Sequence, residues 1–278
     1  MKIAVLSGEG GTGKTFVSVN LAYAAGNCMY VDCDVEEPNG HIFLKPQITD
    51  SHDITVDIPL IDRNKCNGCR ICVNFCKFNA LAYIKGHVEV FDDICHSCGG
   101  CSLLCPEGAI SIRKKSIGKI QSGISGNVTV VSGILNPGEE SGVPIIKELL
   151  NRNNEGSVFI DSPPGSSCTV MESIRDADYC ILVAEPTVFG MHNLRMVLEL
   201  VSIFKKPHGV IINKTQGEFP ELKEFLYGND IDVLMEIPYD NELGKINSMG
   251  LIAADEIPEY RILFSSLLKK VYKEADHV

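Results

Sequence analysis

A glycine-rich segment near the N terminus constrains the fold more than any other feature of this 278-residue chain. The residues from Gly8 to Thr15 read Gly-Glu-Gly-Gly-Thr-Gly-Lys-Thr and fit the pattern G-x-x-x-x-G-K-[ST]. A buried-strand pattern precedes them at Lys2 to Ser7, and an apolar stretch with helical spacing follows at Thr15 to Ala25. A glycine-rich turn between a strand and a helix surrounds phosphate with backbone N–H groups at the positive end of the helix. The segment therefore predicts a phosphate-binding loop.

The side chains of this loop would complete a nucleotide site with Mg2+. Lys14 would reach the β- and γ-phosphates, and the Thr15 hydroxyl would ligate Mg2+. The alternative is a glycine-rich turn that matches the pattern by chance. The expected nucleotide-binding residues are Gly10, Gly11, Thr12, Gly13, Lys14 and Thr15.

Short runs rich in β-branched residues alternate with helical stretches along most of the chain. This alternation predicts a doubly wound, mostly parallel α/β sheet with helices on both faces. The helical stretches include Ile145 to Asn151 and Met191 to Phe204. The predicted strands are Lys2 to Ser7, Cys28 to Asp32, Asn127 to Ser132, Ser157 to Ile160, Tyr179 to Ala184, Gly209 to Ile212 and Val233 to Ile237.

Cysteine is dense in one part of the chain. Eight of the twelve cysteines lie between Cys66 and Cys105. A Cys-x2-Cys-x2-Cys-x3-Cys run begins at Cys66 and is repeated 29 residues later at Cys95, with Pro106 after the second run. This is the spacing of bacterial ferredoxins with two clusters, in which the fourth cysteine of each run ligates the other cluster.

The cysteine spacing therefore predicts two [4Fe-4S] clusters with crossed ligands. Zinc is the alternative, although zinc sites favour separated pairs of cysteines. Lys77 is a minor departure, because it stands where the first run would carry proline. The expected ligands are Cys66, Cys69, Cys72 and Cys105 for one cluster, and Cys76, Cys95, Cys98 and Cys101 for the other.

The duplicated cysteine segment interrupts the alternation of strands and helices after the second strand. We expect a discontinuous nucleotide-binding domain, 1–59 and 116–278, with a small α+β ferredoxin-like domain inserted at 60–115. The inserted segment has eight basic and five acidic residues. Its formal charge of +3 leaves −14 on the remainder of a chain whose net charge is −11.

Composition argues against several classes of function. An acidic chain is a poor general partner for nucleic acid or anionic lipid, so we expect no nucleic acid partner. No apolar run approaches the 18 residues of a membrane span, and glycine is reached at Gly8, too soon for a signal peptide. We expect a cytoplasmic protein, in which a reducing environment favours metal ligation over disulfides.

Together these motifs resemble the MinD/Mrp-type branch of P-loop ATPases, with a deviant Walker A loop, in its subgroup with an inserted two-cluster ferredoxin domain. The resemblance covers essentially the whole chain and implies a SIMIBI-type fold, ATP as the nucleotide and a nucleotide-sandwich dimer. It implies that Asp34, in a first switch, activates the attacking water and acts with Lys14 in catalysis. It implies that Asp161, in a second switch, holds Mg2+ through water. Plain turns at strand ends are the alternative for both aspartates.

The base of the nucleotide would be recognised further along the chain. Asn213 resembles the residue of this family that recognises adenine, and Pro238 to Asp240 resembles the loop that closes the base pocket. Helix or turn capping is the alternative for these short motifs.

One position departs from the family pattern. The signature lysine, which crosses the dimer to the partner's phosphates, is replaced by Glu9. We therefore expect slow hydrolysis by this chain alone, or a heterodimer with a paralogous ATPase that supplies the lysine. The alternatives are a homodimer of different geometry and a Glu9 side chain that points to solvent.

Cys168, seven residues after Asp161, is a candidate redox or shared-cluster thiol. A switch cysteine at this offset ligates the shared cluster of the nitrogenase iron protein, but Ser132 to Val143 contains no second cysteine. A small buried hydrophobe is the alternative. Cys28, Cys33 and Cys180 lie in or beside predicted strands, and we expect them in the core.

The C-terminal stretch Tyr260 to Lys273 is amphipathic. We interpret it as a helix packed on the core rather than a membrane-binding helix. The apolar residues that fit the core-facing side are Ile262, Leu263, Leu267, Leu268 and Val271.

The leading functional hypothesis is an ATP-gated electron-transfer protein with a protein electron donor and acceptor. An iron–sulfur assembly or carrier ATPase is the second hypothesis. A positioning or regulatory ATPase with redox-sensing clusters is the third. Clusters ligated fully by buried cysteines are poor cargo, which favours the first.

Overall fold

The computed structural model of the chain describes residues 1–152, 156–217 and 219–275. Within them, one nine-stranded sheet forms the centre and a two-stranded sheet lies apart from it. The strands are β1 (Lys2–Ser7), β2 (Cys28–Asp32), β3 (Gln47–Ile61), β4 (Leu81–Ile84), β5 (His87–Val90), β6 (Ile110–Ser125), β7 (Val128–Leu135), β8 (Ser157–Asp161), β9 (Tyr179–Ala184), β10 (His208–Thr215) and β11 (Val233–Pro238). The helices are α1 (Lys14–Ala25), α2 (Gly40–Leu44), α3 (Ile71–Phe75), α4 (Gly100–Leu103), α5 (Val143–Leu150), α6 (Cys168–Ile174), α7 (Val188–Ile203), α8 (Pro220–Gly228), α9 (Asn241–Ser248), α10 (Ala253–Glu256) and α11 (Pro258–Ala275).

Seven strands of the large sheet are parallel, in the order β11-β10-β9-β1-β8-β2-β7. The chain moves outward from β1 in one direction to β2 and later in the other direction to β9 and β10. The strand order therefore reverses at β1 and β8, and a ligand crevice opens beyond the carboxyl ends of the strands at such a point. The predicted doubly wound, mostly parallel sheet is confirmed.

Both faces of the parallel strands are buried, because side chains alternate across a strand. Ile3 and Val5 of β1 pack in one apolar cluster with residues of α1, α10 and α11. Ala4 and Leu6 of the same strand pack in a second cluster with residues of α5, α6, α7 and α8. Helices thus cover both faces of β1, and the phosphate loop follows the carboxyl end of this strand.

The antiparallel strands β3 and β6 were absent from the sequence prediction. They pair over almost their whole lengths at one edge of the large sheet, and only Gly118–Ser125 of β6 also pairs with β7. The first part of β3 offers little apolar signal, since Thr49, Asp50 and Ser51 are exposed. Beyond the part of β6 that pairs with β7, β3 and β6 continue past the sheet as a two-stranded ribbon.

This ribbon, residues 54–61 and 110–117, carries the cysteine segment at its far end. The segment contains α3, α4 and the β4–β5 hairpin around a small apolar cluster of its own. The expected domain limits at 60 and 115 fall inside β3 and β6 respectively.

The C-terminal helix α11 packs on the core through part of its predicted apolar side. Leu267, Leu268 and Val271 are buried, which confirms their prediction. Ile262 is 69% exposed and Leu263 is 38% exposed, so their assignment to the core was wrong. The buried face of α11 runs through Tyr260, Phe264 and Leu268, and Ile262 lies outside this face. No helix of the described ranges is both long and apolar enough to span a membrane.

We predict that Phe264→Ala lowers the free energy of unfolding by about 3–5 kcal/mol, because the ring is fully buried and packs edge-on against Phe16. Ile262→Ala on the same helix is the matched control and should cost less than about 1 kcal/mol. Denaturant unfolding of both variants measures this difference. Equal losses would contradict the packing of α11 described here.

Candidate functional site

The phosphate loop lies at the carboxyl end of β1 and opens α1, as the sequence predicted. It lines a cleft of about 450 Å3 together with Asp34, Asn39 and Pro164. Gly13 has φ 96°, and a Cβ there would overlap the Asn213 amide. Glycine is therefore required at this position by both conformation and space.

Lys14 lies at the base of the cleft among carboxylates. Its Nζ is 2.7 Å from Asp161 Oδ1 and 3.8 Å from Asp34 Oδ2. Burial lowers the pKa of Lys14, but the charges and the hydrogen bond of the aspartates outweigh it, and the pKa is raised overall. Lys14 therefore stays charged at neutral pH, and phosphate that enters the cleft meets a fixed cation.

Tyr30 and Asp32 belong to this site and were not predicted as functional. The Tyr30 hydroxyl donates to Asp161 Oδ2 at 2.8 Å, so both oxygens of Asp161 are engaged. Asp32 pairs in register with Asp161 across β2 and β8. The Asp32-x-Asp34 pattern was the available signal, but only Asp34 was assigned a role.

Asp32 holds the segment that follows β2 through backbone N–H groups of that segment. One carboxylate oxygen accepts from Asp34 N at 3.2 Å and the other from Gly40 N at 2.9 Å. Burial and the charge of Asp161 raise the pKa of Asp32, while these backbone N–H groups oppose the rise. Burial also raises the pKa of Asp34. The carboxylates outnumber Lys14, so the site favours an added cation such as Mg2+.

Thr15 and Glu9 occupy the mouth of the same cleft. Glu9 does not point freely to solvent, because its Oε2 accepts from Asn193 Nδ2 of α7 at 3.0 Å. The Glu9 carbonyl accepts from the Ser7 hydroxyl at 2.8 Å. A carboxylate is thus held at the position where the family pattern has lysine.

A second pocket of about 190 Å3 adjoins the cleft and shares Gly11, Gly13 and Phe16 with it. Asn213 lines this pocket, and its Nδ2 donates to Thr12 O at 2.7 Å, which leaves Oδ1 as a potential acceptor. Asp240 lines it too, but its carboxylate caps α9 by accepting from Glu242 N at 2.7 Å. The predicted base-recognition residues therefore meet beside the phosphate loop.

The eight clustered cysteines line two separate cavities in the inserted segment. Each cavity is lined by the first three cysteines of one run and the last cysteine of the other run. One cavity is lined by Cys66, Cys69, Cys72 and Cys105, and the other by Cys76, Cys95, Cys98 and Cys101.

The chain turns sharply to present these thiols. Arg70 and Gly99 adopt positive φ immediately before α3 and α4, so the helices begin just inside each run. Ala109 N donates to the Cys105 sulfur at 3.3 Å. Burial raises the pKa of Cys72, and the neighbouring thiols of Cys66 and Cys105 raise it further. Cations bound there would favour the thiolates.

Of the other four cysteines, three are buried and one is exposed. Cys28, Cys33 and Cys180 are buried in the core of the sheet, which confirms their assignment. Cys168 is exposed at the first residue of α6, so the alternative of a buried hydrophobe is wrong.

Comparisons with known proteins agree with the fold. MJ0579 and MJ0578, two uncharacterized proteins of Methanocaldococcus jannaschii, are 30% and 25% identical to the chain and cover 87% and 99% of it; the matches span 87% and 96% of their own lengths. The MinD structure of Pyrococcus horikoshii, complexed with Mg-ADP, superposes with a TM-score of 0.60 at 19% identity and covers 97% of this chain and 95% of that one.

The cysteine segment has relatives of its own. Pyruvate synthase subunit PorD of Thermotoga maritima is 32% identical over 59 residues, which is 21% of this chain and 60% of that protein.

The family model of the CobQ/CobB/MinD/ParA nucleotide binding domain matches residues 3–252. This match spans the phosphate loop, the inserted segment, Asp34 and Asp161, and the chain belongs to the CobQ/CobB/MinD/ParA nucleotide-binding family.

Proposed function

We propose that this protein binds MgATP and couples its hydrolysis to electron transfer through two [4Fe-4S] clusters. The observation that carries the proposal is the pair of four-thiol cavities held on a ribbon that is continuous with the nucleotide-binding sheet. In this view 1–59 and 116–278 form the ATPase domain, and 60–115 forms the inserted ferredoxin domain. A cubane bound in each cavity supplies one-electron transfer.

The arrangement of the thiols supports clusters over zinc. A zinc ion holds its four sulfurs at about 2.3 Å, so they must converge on one point. Nowhere in the described ranges do three His, Cys, Asp or Glu side chains converge closely enough to hold a single metal ion. Four thiols with ferredoxin spacing that line one cavity match the ligand set of a [4Fe-4S] cubane. Short matches to two uncharacterized ferredoxins of Methanocaldococcus jannaschii, MJ0265 and MJ0722, point the same way.

The proposed nucleotide chemistry uses residues already in the cleft. Lys14 would bind the β- and γ-phosphates, Thr15 would ligate Mg2+, and Asp161 would hold Mg2+ through water. Because Lys14 is 2.7 Å from Asp161, entering phosphate competes with that carboxylate for the same cation. Asp34, 3.8 Å from the ammonium, would orient the attacking water. Binding therefore alters the contacts of both switch aspartates.

The proposed assembly is a nucleotide-sandwich dimer, either a homodimer or a heterodimer with a paralogous ATPase. Two related chains in one organism, MJ0578 and MJ0579, support the existence of paralogues. Glu9 would bring negative charge toward the partner's triphosphate. At about 4 Å and an effective dielectric constant near 20, one unit pair is worth about 4 kcal/mol. A partner that carries lysine at this position would place a cation, and not a second carboxylate, against the triphosphate bound by this chain.

Exposed Cys168 favours the carrier function as a second candidate, since a labile cluster needs accessible thiols. That function predicts transfer of a cluster to an apo-acceptor at a rate that depends on Cys168. The electron-transfer proposal predicts no such dependence.

We predict that Cys69→Ala combined with Cys105→Ala removes one cluster, because both residues line the same cavity. Iron would fall from about eight to about four atoms per chain. Cys69→Ala combined with Cys76→Ala is the matched variant and should remove both clusters, since Cys76 lines the other cavity. Iron and sulfide analysis measures the difference. The reverse pattern would contradict crossed ligation.

We predict that Glu9→Lys raises ATP turnover by about tenfold or more, because trans cations of this kind are worth roughly 10³–10⁵ in rate. Glu9→Gln is the matched control, since it removes the charge and keeps an oxygen for Asn193. It should give a smaller increase. Steady-state phosphate release measures both. Unchanged turnover in Glu9→Lys would refute a role for this position in hydrolysis.

The coupling itself is tested by an anaerobic EPR redox titration of the intact protein with and without MgATP. We expect the potential of a cluster to shift when ATP binds, and each 59 mV equals about 1.4 kcal/mol of coupling for one electron. Bound ATP with no shift in either cluster would contradict coupling within this chain. The carrier or regulatory functions would then be tested first.

A further inference from the structure

A continuous set of contacts joins the first nucleotide switch to one of the two cysteine cavities. It starts at Val35, next to Asp34. Val35 is 2% exposed, and its carbonyl accepts from Leu135 N at 2.8 Å. A Cβ at Gly133 would lie 2.7 Å from one Val35 methyl, and a Cβ at Gly142 would overlap the other. The Val35 side chain therefore lies between Gly133 and Gly142, the two ends of the segment 133–142. A displacement of Val35 must move that segment.

The segment 133–142 is tied in turn to β6. Asn136 N donates to Ile117 O at 2.9 Å, and Asn136 Nδ2 donates to Ser116 O at 3.3 Å. Three residues further on, Glu139 pairs with Lys115 at 2.9 Å. Both side chains are largely buried, at 14% and 17% exposed, so water screens this pair less than a surface pair.

Lys115 also contacts the cysteine segment. Its Nζ is 2.8 Å from Asp93 Oδ1, two residues before Cys95. Arg113 pairs with the adjacent Asp92, whose carbonyl accepts from Cys95 N at 3.2 Å. The turn that leads into Cys95 is thus held to β6 by side chains that alternate along one face of that strand.

A cavity of about 240 Å3 separates the two partners of Lys115. Asp93, Cys95 and His96 line one side, and Glu139 and Lys147 line the other. The cavity leaves space for the Cys95 turn to move relative to α5. The ion pairs of Lys115 with Asp93 and Glu139 limit this movement. Among the residues that the structure describes, the ion pairs near the other cysteine cavity, Arg63 with Glu89 and Lys65 with Asp62, stay within the inserted segment.

We propose that Lys115 is a positioning residue that transmits the state of the first switch to the cluster site of Cys95, so that nucleotide controls this cluster and not the one bound by Cys66. The proposal rests on the proposed function, because it requires MgATP to alter the first switch. Lys115 would act through the Cys95 turn without touching the nucleotide. The responsive site consists of Cys76, Cys95, Cys98 and Cys101.

Hydrogen–deuterium exchange of the cluster-loaded protein, with and without Mg2+ and adenylyl imidodiphosphate, tests this link. In the native protein we expect the nucleotide to change exchange in both the switch segment, 30–44, and the Cys95 turn, 92–98. In Lys115→Gln the switch segment should still respond and the turn should lose its response. Glu139→Gln removes the same bridge from the other side and should give the same loss.

Lys114→Gln is the matched control, because Lys114 is the next residue of β6 and pairs with Asp57 within the ribbon. It should respond as the native protein does, and Lys115→Arg should retain most of the response. A turn that responds equally in Lys115→Gln would overturn the proposal while leaving the proposed function intact. A native turn that does not respond, although 30–44 does, would overturn it as well. No response in 30–44 would overturn both the role of Lys115 and the proposed function.

Discussion

A buried lysine among aspartates is the interaction on which the rest of the site depends. Lys14 lies 2.7 Å from Asp161 at the point where the strand order reverses, and Asp32 faces Asp161 across two neighbouring strands. Removal of one partner of such a pair leaves an unpaired buried charge, which costs about 3–5 kcal/mol. The sheet must therefore keep the phosphate loop and the carboxyl ends of β2 and β8 in register.

The second organising feature is the β3–β6 ribbon. Since β6 pairs with β7 on one side and β3 on the other, the inserted cysteine segment is attached through two hydrogen-bonded strands and not through flexible linkers. Lys115 on β6 reaches toward both the nucleotide-binding part and the cysteine segment. In the proposed coupling, this stiff attachment with its charged bridge is the element that both sites bias.

Much of the fold followed from local pattern. The predicted limits of β2 and β9 agree with the structure, because strands buried on both faces are continuous apolar runs that end at polar residues. β3 and β6 escaped prediction although Ile54, Val56 and Ile58 alternate with Thr55 and Asp57, because this short alternation follows an exposed polar stretch and leads directly into the cysteine runs. The exposure of Ile262 was likewise missed, since helical spacing defines a face but not how much of it a neighbour covers.

The sequence by itself determined the chemistry that is available: a phosphate loop, two ferredoxin-type cysteine runs and acidic residues at strand ends. These are local signals, because each depends on residue types at short spacing. Only the tertiary structure decided which of them meet. It brought Tyr30 and Asp32 to Asp161, held Glu9 against Asn193, and set Lys115 between Glu139 and Asp93. These contacts join residues far apart in the chain, and strand order and register, which no short pattern encodes, determine them.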